Sequence, residues 1–73
     1  MNQDKFEKLY GPKKEKVALL IPFLMERPRP ADSIARFLNR HKVSVWSYLR
    51  TLRDLDVDVK KDEHKKYYID AKM

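Results

Sequence analysis

Between residues 36 and 66 the chain gathers side chains suited to recognition. Arg36, Arg40 and Lys42 lead into a segment where Val43, Trp46, Ser47 and Arg50 recur at i, i+3, i+4 and i+7, a spacing that puts all four on one side of a helix. Lys60, Lys61, His64, Lys65 and Lys66 follow within seven residues. Guanidinium and ammonium groups donate to phosphate oxygens, and an arginine fork also matches the edge of guanine. Groups that make or break bonds are missing. The chain has no cysteine and only one glycine, Gly11, so thiol chemistry and glycine-rich phosphate loops are excluded, and no nucleophile stands beside a base. His41 and His64 are isolated, which argues against zinc. Asp54, Asp56, Asp58, Asp62 and Glu63 read as solvent-facing acids that balance nearby lysines. The expectation is a non-enzyme without cofactor or metal.

Charge supports a polyanionic partner. The net charge of +6 is unevenly spread: residues 1–12 are neutral, 13–41 carry seven basic against three acidic groups, and 42–73 carry eight against six. Clustered cations gain affinity for phosphates by releasing counterions. With 73 residues, 42% of them apolar, the chain is expected to form one domain with one core and no room for a ligand-sensing domain. The longest apolar run, Val17 to Met25, is interrupted by Pro22 and is far shorter than the roughly 20 residues needed to span a bilayer. It has neither the flanks nor the cleavage site of a signal peptide. A cytoplasmic protein with no membrane partner is expected.

The elements that must position these groups follow from periodicity. Residues 1–12 read as a docking arm or a short helix ending at the Gly11-Pro12 turn, with Phe6, Leu9 and Tyr10 as candidates for contact with a second copy. Val17, Leu20, Ile21 and Leu24 mark a first helix from Lys13 to Arg27, with a kink or early break expected at Pro22. Arg27-Pro28-Arg29-Pro30 is a stiff connector. A second helix reaches Asn39 with Ile34, Ala35 and Leu38 inward. In the third, from Lys42 to Leu55, Val45, Tyr48, Leu49 and Leu52 face the core, with Leu55 closing the stripe. The period then shifts to two at Val57 and Val59. A polar stretch leads to Tyr67, Tyr68 and Ile69, which predicts a β-hairpin.

The segment SIARFLNRHKVSVWSYLRTLRDL (33–55) resembles, without gaps, the helix-turn-helix of bacterial and phage transcription regulators, above all the winged type of the biotin-operon-repressor-like and sugar-regulator families. Ala35 matches the small residue over which the recognition helix crosses, Asn39 the left-handed turn position, and Val45 the buried aliphatic. The run YLRTLRDLDVDV resembles the passage into the first wing strand. The chain departs from the pattern at Arg40, where an apolar residue is usual, and at His41, where a capping Ser or Thr is usual. Ser44 is an alternative cap in a longer turn. The tip of the wing lacks the common glycine.

The resemblance covers residues 16–70 and implies an α+β winged helix-turn-helix fold over 13–73, three helices followed by a two-stranded wing. It further implies a sequence-specific regulator of double-stranded DNA, of the repressor or excisionase-like kind found in phages and mobile elements, working as a homodimer or a cooperative array. Arg50 would then take a guanine edge and Ser47 a base or a phosphate, Lys42, Arg36 and Arg40 would touch phosphates, and the wing cations Lys60, Lys61, His64, Lys65 and Lys66 would track the backbone or reach the adjacent minor groove. Lys13, Lys14 and Lys16 would add a phosphate clamp. Trp46 fits three places: on a sugar or a thymine methyl, in the core, or with Val43 in a protein-binding patch. That last option defines a rival, an interaction module that docks on a polymerase or another regulator through Val43 and Trp46.

Overall fold

The structure is a computed structural model that describes residues 2–70; residue 1 and residues 71–73, the outer ends of the expected arm and domain, lie outside it. The architecture is α+β. Among the described residues there are four helices, α1 (Gln3–Glu7), α2 (Gly11–Glu26), α3 (Ala31–Leu38) and α4 (Lys42–Asp54). The strands β1 (Arg29–Pro30), β2 (Val59–Lys61) and β3 (Lys66–Ile69) form an antiparallel sheet ordered β1-β3-β2.

Of the two readings of the N-terminal segment, the short helix is the one found. Asn2 caps α1, its side chain accepting from the Lys5 N–H at 3.1 Å, and its own N–H donates to the Leu55 carbonyl at 2.6 Å. Phe6 and Leu9, expected to reach a second copy, pack against this chain's own core. Tyr10 alone of the three remains outside. Pro12 lies in the first turn of α2, where its missing donor costs nothing. The break expected at Pro22 is absent, and α2 continues through it to Glu26. Ala18, whose carbonyl loses its partner, is exposed, as is Pro22, so water can replace the lost bond.

The connector is also more than a spacer. Arg29 pairs with Tyr67 and Pro30 with Lys66, making β1 a third strand on the edge of the sheet. A proline is tolerated at an edge because no neighbour there needs its donor. Pro30 is then the N-cap of α3 and not its first turn.

The core is built from the inner stripes of the helices. Val17, Leu20 and Leu24 of α2 meet Ile34, Ala35 and Leu38 of α3 and Val45, Tyr48, Leu49 and Leu52 of α4. Leu55, Val59, Tyr67 and Ile69 close it from the sheet side, and no polar or charged residue is buried among the described ones. Ile21 is only partly buried. Each fully enclosed leucine contributes about 1.5–3 kcal/mol by leaving water, so this stripe pattern fixes how α4 is rotated about its axis.

Two helix ends are closed without glycine. After α3, Asn39 takes a left-handed conformation (φ 55°), its N–H donating to Arg36 and that of Arg40 to Ala35. After α4, Asp56 does the same (φ 64°), with its N–H on Arg53 and that of Val57 on Leu52. Both are Schellman closures. The second places Val57, expected in the first strand, in the helix terminus, so β2 begins at Val59.

Candidate nucleic-acid interface

The Asn39 closure decides where α4 begins. Helix α3 stops at Leu38, whose carbonyl accepts from Lys16 Nζ at 2.7 Å, a cation at the negative end of the helix. The chain then turns and α4 starts at Lys42, with His41 as N-cap and no side-chain cap bond. The alternative start with Ser44 as cap does not occur, since Ser44 already donates its N–H to the His41 carbonyl within the first turn. Lys42 bridges back to Asp32 near the start of α3 at 3.3 Å. Arg36 and Arg40 line the hollow between α3 and α4, together with Asn39, His41 and Ser44.

With the inner stripe of α4 buried, its outer stripe is fixed by elimination. Val43 (76% exposed) and Trp46 (51% exposed) stand out from it, with Ser47 and Arg50 exposed beside them. Trp46 is not in the core. One side of its ring meets Tyr67 of β3 edge to face, with centroids 5.7 Å apart and planes at 76°. The tryptophan thus stands between the helix and the hairpin. Grooves run on both sides of it. One is lined by Trp46, Arg50, Arg53, Asp54, Lys61 and Tyr67; the other by Asp32, Lys42, Trp46, Lys61, His64 and Lys65, among others.

The hairpin tip is shaped by Asp62. Its Oδ1 accepts the backbone N–H of His64 and of Lys66, both at 2.9 Å. The Lys65 N–H bonds the Asp62 carbonyl, and Lys65 is left-handed (φ 62°) in the position where a glycine is usual. The Lys66 and His64 N–H groups, Lys66 first, hold the Asp62 carboxyl below the usual carboxylate range.

The strand period divides the hairpin cations. Val59 pairs with Ile69 and Lys61 with Tyr67, so Lys61 shares the face turned to α4. Lys60 pairs with Tyr68 and lies on the other face, as does Lys66. Lys60 sits between Asp58 at 3.7 Å and Asp70 at 3.6 Å. Lys61, His64 and Lys65 therefore gather near α4, whereas Lys60 and Lys66 do not. The expected clamp at the start of α2 is also dispersed: Lys16 holds Leu38, Lys14 pairs with Glu7 at 2.8 Å, and Lys13 lies over the Tyr48 ring.

Sequence reasoning missed Arg53, which lies three residues beyond Arg50 and lines the same groove. Continuing the i, i+3 count by one step would have found it. Arg36, Arg40, Arg50, Arg53, Lys61 and Lys65 have no carboxylate partner among the described residues. Among the same residues no His, Asp and Glu groups converge as a metal site, and no helix is long and apolar enough to cross a membrane.

Comparison of the chain with family models, with curated proteins and with solved structures finds no match.

Proposed function

We propose that this chain is a winged-helix protein that binds double-stranded DNA, laying the outer stripe of α4 in the major groove and the β2–β3 tip on the flanking backbone, and that it regulates transcription without enzymatic activity. One observation carries the reading: Arg50, Arg53, Lys61 and Lys65 border one surface around Trp46 and lack carboxylate partners among the described residues. Unpaired cations along a projecting helix suit a polyanion whose groove admits a helix. The element order supports it as well, with α2, α3 and α4 followed by a hairpin whose tip flanks α4. Arg36 and Arg40, on the far side of the helix start, extend the basic rim. One such surface reads a short half-site, so two or more copies on adjacent half-sites would supply specificity.

The test is enrichment of a randomised duplex library on the purified protein, followed by titration of the enriched pool at two salt concentrations. An enriched motif is expected, with log affinity falling by about 0.9 per phosphate contact for each unit of log salt. No enrichment, with binding indifferent to salt, would overturn the proposal. The exposure of Val43 and Trp46 favours a second reading, docking of a protein partner, in which Trp46→Ala abolishes capture of that partner while salt has little effect.

A further inference from the structure

The outer stripe of α4 is not uniformly polar. Its first half presents Val43, Trp46 and Ser47 and its second half Arg50 and Arg53. Val43 is an aliphatic side chain with no hydrogen-bonding group, three-quarters exposed, on a helix whose other apolar residues are buried apart from Trp46. Trp46 is half exposed and is held from one side by the Tyr67 ring, so its free surface is presented in a set orientation. The surroundings select the occupant. Lys61, Lys65, Arg50 and Arg53 border the grooves on either side of Trp46, and an apolar strip between unpaired cations complements an apolar group carried by a polyanion. On duplex DNA the major-groove edge offers one such group, the C5-methyl of thymine.

We infer that Val43 and Trp46 read thymine methyl groups, and that the recognised sequence therefore places thymine on one side of a guanine held by Arg50. This rests on the DNA-binding reading. Seven residues separate Val43 from Arg50, a helical rise of about 10 Å. Laid along the DNA axis that span would cover about three base steps of 3.4 Å, and laid obliquely in the groove it covers fewer, so about three steps is the upper limit. The thymine lies within that distance of the guanine, toward the N-terminal end of α4. Burying Val43 against a methyl returns hydrophobic free energy, whereas burying it against a polar base edge would desolvate an acceptor or donor without pairing it.

The experiment uses the intact protein and the duplex enriched from the randomised library, resynthesised with deoxyuridine in place of thymidine. The substitution removes the methyl groups and leaves the pairing and the O4 acceptor. Affinity is expected to fall about fourfold for each methyl that is read, and Val43→Ala and Trp46→Ala are each expected to shrink the difference between the two duplexes. Val43→Ala keeps the test independent of folding, because that side chain supports no core contact. Sequence-specific binding that is equally tight to both duplexes would overturn the inference and leave the DNA reading standing. So would a loss on uracil that persists undiminished in both variants, or an enriched motif without thymine near its guanine. Failure to bind any duplex would overturn the DNA reading itself, and the thymine contact with it.

Discussion

The two faces of α4 answer to different constraints. On the inner face Val45, Tyr48, Leu49 and Leu52 are all buried, and each is apolar or an aromatic with an apolar body. On the outer face the same helix presents apolar (Val43, Trp46), hydroxyl (Ser47) and cationic (Arg50, Arg53) side chains; Trp46 rests against the Tyr67 ring, and Arg50 and Arg53 have no carboxylate partner among the described residues. Packing dictates the first set within narrow limits of volume. The core does not dictate the second. If the chain binds DNA as proposed, that outer face is the one left free to be shaped by the partner.

The contrast can be broken most forcefully from inside. Leu52 is fully enclosed, and Leu52→Ala should cost about 3 kcal/mol of stability by denaturant titration, with little change in the DNA affinity of the fraction that remains folded. A loss under about 1 kcal/mol would mean that the inner face is not the main support. Arg50→Ala is the mirror case. Stability should move by less than about 0.5 kcal/mol, while DNA binding weakens by about 1–3 kcal/mol and loses discrimination at one base position. Unchanged affinity would remove α4 from the interface.

The same contrast extends to the hairpin, where alternation has placed neighbouring lysines on opposite faces. Lys61→Ala should lower the slope of log affinity against log salt by about 1, whereas Lys60→Ala, already between two carboxylates, should leave it unchanged. Equal effects would erase the distinction between the faces. The smallest effect expected is on pH. Asp62 has its carboxyl held below the ordinary range by the Lys66 and His64 N–H groups. Its contribution to the hairpin is therefore complete above the unfolded pKa and is lost as pH falls through the lower folded value. An acid titration followed by NMR should show the His64 and Lys66 amide signals shifting together in that acidic window, and Asp62→Asn should abolish the shift. Amides that stay still would assign the tip geometry to the turn alone.

Much of this was legible in the residues. The inner stripes of α3 and α4 were read correctly because a 3.6-residue period in branched and aromatic side chains is hard to mistake. Asn39 was identified from the tolerance of its side chain for left-handed backbone. What escaped lacks a period. Strand β1 is two residues long and ends in proline, so no alternation marks it. Phe6 and Leu9 have helical spacing, yet spacing alone does not say whether an apolar pair folds back or reaches outward. The Val57–Val59 alternation suggested that β2 starts two residues early because the Schellman closure had claimed Val57; a shift of two leaves Lys60 and Lys61 on the same opposite faces, so their separation was legible in the period. At Pro22 the early break does not occur, for a different reason. The cost of a proline inside a helix depends on whether the orphaned carbonyl faces water, which only the packing reveals.

Among the described residues three hold left-handed backbone, Asn39, Asp56 and Lys65, in a chain whose only glycine is Gly11. The consequence concerns the state that has no structure. Glycine at such positions would relieve local strain but would also enlarge the unfolded ensemble, raising the entropy lost on folding by roughly 0.4–1 kcal/mol at each. A chain with four prolines and one glycine among 73 residues starts from a comparatively restricted ensemble even without a disulfide to constrain it, and this restriction offsets part of the strain its turns retain.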